Sequence, residues 1–207
     1  MQLQNYYYWF KDAIPHHVCD DIVRYAKSIQ DEMAVTGGLG NRKLNKKEVQ
    51  DLKKKRDSDI VWLNERWIYN AIHPYIHAAN KDANWNFDWD FSESCQFTKY
   101  KKGQYYDWHC DSWDKPYDSP NTPSHGKTRK LSVTLSLSDD KDYSGGELEF
   151  DMRNQDPDKK TNTHVLKEIR SKGSLVVFPS DVWHRVKPVK RGVRHSLVIW
   201  NLGYPFK

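Results

Sequence analysis

The chain has few cysteines and no long apolar run, and each shortage argues against one class of protein. Three of its 207 residues are cysteines, at positions 19, 95 and 110, and they show neither a pairing pattern nor a metal-binding spacing. This content argues against a disulfide-stabilised secreted domain and favours a reducing compartment. No stretch is apolar enough to cross a membrane, and residues 1–10 lack the basic start and apolar core of a signal peptide. We therefore expect a soluble, cytoplasmic protein that makes no membrane contact.

A strong excess of one charge is also missing. The 33 basic and 28 acidic residues give a net charge of +5, and much of the excess lies within residues 41–56. A solvated helix or loop face is a simpler interpretation of this cluster than a nucleic-acid site. With 37% hydrophobic residues the chain can bury a core, and one domain over residues 1–207 is the simplest organisation.

Two helices are predicted in the first part of the chain, the first from apolar residues at helical spacing. The first covers about residues 15–33 and the second about residues 58–79, where Pro74 is a potential kink. Residues 37–40 are predicted to form a flexible loop, since no Lys-Ser/Thr pair follows them as in a phosphate-binding loop. Both helices are expected to pack against the outside of a sheet.

The second part of the chain has the pattern of a β protein. Residues 96–100 and 105–109 are predicted strands joined by a turn, and a hairpin is predicted at residues 145–150. An apolar strand closed by Pro179 and a last buried strand over residues 194–200 follow. The predicted class is therefore mainly β with flanking helices (α+β).

Two histidines and one aspartate are candidates for a metal site. His109 and Asp111 lie two residues apart at the end of a predicted strand, so their side chains share a face. A His beside an Asp is often only a surface hydrogen-bonded pair. However, His184 after an apolar strand supplies a second imidazole, and Arg194 follows ten residues later. Two imidazoles and one carboxylate hold Fe(II) and leave coordination positions open, as in non-haem iron oxygenases.

With these residues in this order, residues 93–202 resemble the Fe(II)/2-oxoglutarate dioxygenases, and among them the prolyl 4-hydroxylase-like group. The resemblance implies a double-stranded β-helix, or jelly roll, as the core. We place this core at about residues 86–207, with a helical supporting region at about residues 1–85.

The resemblance also implies the cofactor, the co-substrates and the residues that hold them. It predicts Fe(II), with 2-oxoglutarate and O2 as co-substrates, succinate and CO2 as products, and ascorbate as a candidate additional cofactor. The predicted iron ligands, which are also the predicted catalytic residues, are His109, Asp111 and His184. Arg194 is predicted to pair with the distal carboxylate of 2-oxoglutarate, a role that a planar fork of donors suits. Ser196 is predicted to donate to the same carboxylate, and Tyr100 matches a tyrosine that holds the co-substrate.

Three further residues match positions that line the peptide-proline pocket of prolyl hydroxylases. They are Tyr106, Arg129 and Trp200. They predict that the substrate is a prolyl residue in a protein or peptide, hydroxylated at a C–H bond. Trp200 also fits an ordinary core aromatic, and Arg129 fits a residue that caps a solvated loop.

Two other functional classes stay open. One is the same chemistry on a methylated nucleobase or a free amino acid, and the other is a non-catalytic binding module on the same fold. An enzyme acting on nucleic acid should combine a basic groove with base-stacking aromatics, whereas the basic cluster here is distant in sequence from the metal motif, so nucleic acid is not the expected partner. The long loop at residues 112–130 is a predicted lid over the substrate.

Overall fold

The computed structural model describes residues 5–29, 32–33, 46–152 and 163–206. Its helices in these ranges are α1 (His16–Lys27), α2 (Lys46–Lys55) and α3 (Arg66–Asp82). Its strands are β1 (Tyr8–Phe10), β2 (Glu32–Met33), β3 (Arg56–Asp57), β4 (Asp59–Leu63), β5 (Phe91–Ser92), β6 (Cys95–Tyr100), β7 (Tyr105–His109), β8 (Thr128–Ser136), β9 (Tyr143–Gly145), β10 (Leu148–Asp151), β11 (Thr163–Val165), β12 (Leu175–Pro179), β13 (His184–Val186), β14 (Val189–Gly192) and β15 (Arg194–Gly203). The loop predicted at residues 37–40 lies outside the described residues.

Two antiparallel sheets form the body of the molecule. The larger has the order β1-β12-β8-β15-β6-β4-β2, with β5 also paired to β15. The smaller has the order β11-β10-β13-β7-β3, and β14 and β9 form a separate pair. These facing sheets, with α1 and α3 packed on the larger one, confirm the predicted mainly β class and jelly-roll core.

Helices α1 and α3 close one face of the larger sheet. Their buried residues recur every three or four positions: Cys19, Ile22 and Ala26 on α1, and Ile68, Ile72, Ile76 and Ala79 on α3. They belong to one apolar cluster with sheet residues that include Val61, Phe97, Leu131, Val133, Leu197 and Ile199. Each fully buried large aliphatic side chain in such a cluster contributes about 1.5–3 kcal/mol. This packing anchors the larger sheet and leaves its other face for the smaller sheet.

Successive side chains of β15 lie alternately in the apolar core and in a cavity. Leu197 and Ile199 belong to the helix-facing cluster, whereas Arg194, Ser196 and Trp200 line a cavity between the two sheets. Successive side chains of a strand point to opposite faces, so a single strand serves both. A second apolar cluster, which includes Phe150, Phe178 and Val186, fills the rest of the space between the sheets.

The first helix is shorter than its apolar pattern predicts. α1 ends at Lys27, and the backbone N–H groups of Ser28 and Ile29 close a tighter turn on the carbonyls of the last helical residues. Ile29 is 38% exposed, and Met33 pairs with Asp59 in the sheet. The predicted end at residue 33 is therefore wrong, because pairing with β4 takes the place of another helical turn.

The second predicted helix also begins in the wrong place. Residues 59–63 form strand β4, which pairs with β6, and the helix begins only at Arg66. The β-branched residues Ile60 and Val61 are buried in this strand, which favours extended backbone. The helix then continues through Pro74 to Asp82. The region before residue 85 thus contributes strands as well as helices.

The predicted hairpin at residues 145–150 is a crossing between sheets. β9 pairs with β14, whereas β10 pairs with β11 and β13. Gly145 and Gly146 have φ angles of 75° and 64°, and a Cβ at Gly145 would lie 2.4 Å from the backbone oxygen of Pro188. The two glycines allow the turn because other residues are strained in this conformation.

One half-buried histidine on the larger sheet should make stability depend on pH. His195 stacks on Phe97 with ring centroids 5.4 Å apart. Burial, followed by the positive charges of Lys27, Lys99 and Arg194, lowers the pKa of His195 from 6.5 to about 4. Between these two pH values the unfolded chain binds a proton that the folded protein does not. Acidification through this window therefore weakens folding, by up to about 3 kcal/mol.

Replacing this histidine should remove that contribution. We expect His195→Phe to lose less stability than the parent protein between pH 6.5 and pH 4, measured as the free energy of unfolding in urea. His17→Phe, at an exposed position on α1, controls for the loss of an imidazole. Identical pH profiles for His195→Phe and the parent protein would contradict the prediction.

Candidate metal centre and active site

The three candidate ligands meet at the end of the smaller sheet. His109 is the last residue of β7 and His184 the first of β13, and the two are direct partners in the strand register. Asp111 follows β7 by two residues, where its backbone N–H donates to the oxygen of Ser180 over 2.8 Å. One ligand atom from each of the three side chains lies within 4.8 Å of the others. Two neighbouring strand ends therefore bring together residues that are far apart in sequence.

The donor atoms are positioned for a single cation. Asp111 Oδ1 lies 3.8 Å from His109 Nε2, and Asp111 Oδ2 lies 3.6 Å from His184 Nε2. The Nδ1 atoms of the two histidines lie 2.7 Å and 3.0 Å from the backbone oxygens of Asp107 and Val182, respectively. A carbonyl oxygen only accepts, so each Nδ1 carries a proton and each Nε2 is the ring nitrogen left to face a metal. The residues thus fit an iron ion, because two imidazoles and one carboxylate form an open ligand set.

The electrostatics of His109 and Asp111 favour binding of a cation. Burial, followed by the charge of His184, holds the pKa of His109 well below its usual range. Burial alone would raise the pKa of Asp111, but His184, His109 and Arg129, with a hydrogen bond from Ser132, outweigh it and lower that pKa. At neutral pH the cluster therefore presents a carboxylate beside a neutral His109, which suits a cation.

Ser132 is a positioning residue for the aspartate, and its removal should weaken metal binding. Ser132 Oγ donates to Asp111 Oδ2 over 2.7 Å and contacts Ser180 Oγ at 2.9 Å. We expect Ser132→Ala to weaken the affinity for Fe(II) or Mn(II) about 10–100-fold, as loss of an outer hydrogen bond typically does. Calorimetric titration measures this, with Ser136→Ala, buried on the same strand, as the control. Equal affinities in the two variants would disprove the role.

A narrow cavity of about 30 Å³ borders the cluster. Eight of the nine predicted site residues line it: Tyr100, Tyr106, His109, Asp111, His184, Arg194, Ser196 and Trp200. The ninth, Arg129, lines an adjoining groove of about 460 Å³. A cavity of this size holds about one water molecule, so a larger ligand requires the lining side chains to move apart.

The predicted 2-oxoglutarate residues adjoin one another on two paired strands. Arg194 is 3% exposed and lies directly opposite Tyr100 in the register of β15 and β6. Arg194 Nη1 donates to Ser196 Oγ over 3.1 Å, and its guanidinium carbon lies 5.5 Å from the Tyr100 ring centroid. This hydrogen bond leaves the hydroxyl proton of Ser196 available to a carboxylate.

The predicted substrate residues form an aromatic and cationic wall. The rings of Tyr106 and His109 stack with centroids 3.5 Å apart. The guanidinium carbon of Arg129 lies 3.8 Å from the ring centroid of Trp200, and Arg129 Nε donates to Glu93 over 2.9 Å. Trp200 Nε1 is buried without a hydrogen-bond partner among the described residues. A buried N–H of this kind is available to an acceptor on a ligand.

Among the cavity residues that were not predicted from the sequence, two form a hydrogen-bonded pair. Arg56 and Gln96 both line the cavity, and Arg56 Nη2 donates to Gln96 Oε1 over 2.6 Å. Gln96 shares a strand face with Tyr100, so the period of the strand could have indicated it. Arg56 ends a basic run, and nothing in the local sequence separates it from exposed lysines.

Other histidines do not form a second metal site in the described ranges. His73 contacts Ser92 Oγ at 3.1 Å, and both His73 and His77 pack against the ring of Trp89. Within those ranges, the cluster above is the one group of three potential metal-binding side chains. None of the described helices is long and apolar enough to span a membrane.

Comparison with known proteins identifies similar sequences and folds. The model of a family described as the 2OG-Fe(II) oxygenase superfamily matches residues 95–201. A PKHD-type hydroxylase of Synechococcus sp. (strain CC9902) is 38% identical over 103 residues, which are 49% of this chain and 38% of that protein. Another, of Pseudoalteromonas atlantica, is 34% identical over 107 residues, covering 51% of this chain and 41% of that protein. The chain thus spans about two fifths of the length of these curated relatives.

Solved structures share the fold over almost the whole chain. The viral collagen prolyl hydroxylase of Paramecium Bursaria Chlorella virus-1 superposes with a TM-score of 0.64 and 19% identity, covering 97% of each chain. A prolyl-4-hydroxylase of Pseudomonas putida gives a TM-score of 0.62 at 19% identity, covering 96% of this chain and 92% of that one. At this level of identity, the likeness shows a shared fold.

Proposed function

The chain belongs to the 2OG-Fe(II) oxygenase superfamily, and we propose that it is an Fe(II)- and 2-oxoglutarate-dependent dioxygenase that hydroxylates a prolyl residue in a protein or peptide. The observation that carries this proposal is the buried cluster of His109, Asp111 and His184 in one cavity with Arg194. Bound Fe(II) would couple oxidative decarboxylation of 2-oxoglutarate, to succinate and CO2, with insertion of one oxygen atom of O2 into a substrate C–H bond.

The chain's own residues bind and orient the reactants. His109, Asp111 and His184 would hold the metal on one side, and the backbone oxygens that accept from the two imidazoles keep both Nε2 atoms turned toward it. No described side chain needs to act as a general acid or base. The protein therefore contributes mainly by positioning the reactants and by excluding water from a buried site.

Arg194 and Ser196 would bind the distal carboxylate of 2-oxoglutarate. The guanidinium has no carboxylate partner within the described part of the chain, so its donors are available to a ligand. Tyr100 forms the neighbouring wall. A buried cation beside a hydroxyl donor favours a dicarboxylate over an uncharged ligand.

The substrate side favours a peptide. The groove beside the cavity is lined by Phe87, Ser112, Trp113, Thr128, Arg129, Lys130, Asp181, Pro205 and Phe206. Trp113 and Phe206 are 44% and 61% exposed, and apolar ring surfaces of this kind pack well on prolyl rings. Arg129 and the free indole N–H of Trp200 offer donors to peptide carbonyls at the junction of groove and cavity.

The proposal also covers the domain organisation, a lid, the cellular location and an auxiliary reductant. We propose that residues 1–207 work as one domain, in which residues 1–85 support the core at residues 86–207. The predicted loop at residues 112–130 ends earlier than expected, because β8 begins at Thr128, and its irregular part at residues 112–127, which places Trp113 against Arg129, is proposed as the lid. Cys19, Cys95 and Cys110 are unpaired, which accords with a cytoplasmic location, and ascorbate is proposed as an auxiliary reductant.

Mass spectrometry of peptides tests this function. The protein is incubated with Fe(II), 2-oxoglutarate, O2 and proline-containing peptides, with and without ascorbate, while succinate is measured in parallel. We expect one added oxygen on a prolyl residue. This product should be absent in three controls: without 2-oxoglutarate, with the His184→Ala variant, and with peptides that carry alanine in place of proline. Succinate without peptide oxidation would redirect the search to nucleobases or amino acids. Absence of both products would favour a binding module.

A further inference from the structure

Arg56 is a buried cation in the cavity of the metal centre. Strand pairing places it opposite Tyr106, and it is 5% exposed. Its guanidinium carbon lies 4.5 Å from the Tyr106 ring centroid, and that ring stacks on His109. Arg56 thus adjoins the side of the cavity that carries the metal ligands.

The polar contacts of Arg56 are with neutral groups. Its Nη2 donates to Gln96 Oε1 over 2.6 Å and its Nε donates to Ser58 Oγ over 2.9 Å. Arg194 likewise donates to the neutral hydroxyl of Ser196. Neither arginine pairs with a carboxylate in the ranges that the structure describes. Burying a cation without an opposite charge is unfavourable, so two such cations in one cavity indicate an anionic ligand.

The charge in the cavity supports a ligand with two negative groups. Asp111 is the acidic residue that lines it, and that carboxylate already lies between two imidazoles and accepts from Ser132. A divalent cation on the cluster would add to the positive charge of Arg56 and Arg194. A dicarboxylate would offset most of this excess, whereas a monocarboxylate would offset less of it.

We propose that Arg56 and Arg194 form a two-arginine site for a dicarboxylate 2-oxo acid, in which each arginine holds a different carboxylate. This inference rests on the proposed function and deepens it. Arg194 lies beside Tyr100 and takes the distal carboxylate, whereas Arg56 takes the carboxylate next to the keto group. The second assignment follows from the stacking of Arg56, through Tyr106, on the ligand His109.

Two ligands distinguish the two arginines. Dissociation constants are measured by calorimetry, without O2, on the Fe(II)-loaded protein for 2-oxoglutarate and for 2-oxopentanoate, which lacks the distal carboxylate. We expect Arg56→Met to weaken both ligands by a similar factor, about 10–100-fold, and to keep the preference for 2-oxoglutarate. Arg194→Met should weaken 2-oxoglutarate alone and so remove the preference.

The opposite results would overturn the proposal. Unchanged affinities in Arg56→Met would remove Arg56 from the site. Weakening of 2-oxoglutarate alone in that variant would mean that both arginines hold the same carboxylate. Failure of the parent protein to bind 2-oxoglutarate would instead contradict the proposed function itself.

Gln96→Glu tests the same inference without loss of the arginine. The new carboxylate would lie in hydrogen-bond contact with Arg56 and give it an internal counterion. We expect a higher melting temperature for the ligand-free protein together with weaker binding of both ligands. A purely structural role for Arg56 would raise the melting temperature and leave the affinities unchanged, which would overturn the proposal even if Arg56→Met does not fold.

Discussion

Asp111→Ala should abolish 2-oxoglutarate turnover while leaving the fold intact. Asp111 is the one carboxylate of the cluster, and its two oxygens face the Nε2 atoms of His109 and His184. Loss of a direct ligand should reduce turnover beyond the roughly 10–100-fold that outer hydrogen-bond partners cost, to below about a thousandth of the parent rate. Succinate release measures turnover, and calorimetric titration with Mn(II) should show a matching loss of metal binding.

The Asp111→Ala variant should still fold, because removal of the carboxylate leaves no unpaired charge on His109. Burial already holds the pKa of His109 well below its usual range, and removal of the neighbouring carboxylate lowers it further. His109 therefore stays neutral in the variant, and the circular dichroism spectrum should match that of the parent. Asp82→Ala, at an exposed carboxylate on α3, is the matched control and should keep full turnover. Turnover by a folded Asp111→Ala variant would place the iron elsewhere.

Arg194→Met should raise the KM for 2-oxoglutarate about 100-fold or more. The guanidinium is buried in the cavity, where a charge-assisted pair with a carboxylate is stronger than at the surface. Methionine keeps the apolar length of the side chain, so the cavity wall stays filled. Because the arginine pairs with no carboxylate in the described residues, its removal leaves no buried anion and the protein should fold.

The dependence of succinate production on 2-oxoglutarate concentration measures this effect. At saturating co-substrate the rate should recover toward that of the parent, because the metal ligands are unchanged. Arg191→Met, at an exposed arginine of β14, is the control for the same change of residue type. An unchanged KM in Arg194→Met would refute the role assigned to this arginine.

Local sequence was enough to predict the candidate ligands and the class of fold. His109 and Asp111 share a face because strand side chains alternate, and His184 and Arg194 each begin a strand. These features depend on the period of a strand and on turns a few residues long, so nearby residues determine them. Helix α3 was also predicted over most of its length.

Contacts between distant segments decided the remaining features. Residues 59–63 form a strand because β6 offers a partner. Residues 145–150 cross between sheets because β14, the partner of β9, and β13, the partner of β10, belong to different sheets. Arg56 and Gln96, 40 residues apart, meet in the cavity only when β3 joins the smaller sheet and β6 the larger. Ser132 likewise reaches Asp111 from another strand.

The physical reason for this division is the range of the interactions. Side-chain periodicity acts over a few residues, so it predicts which residues share a face and which types can bind a metal. Hydrogen bonds between strands and burial between sheets act over any sequence separation, so they can override local propensity. The candidate metal ligands were thus recognisable from the sequence, whereas Arg56, Gln96 and Ser132 joined them only when the sheets came together.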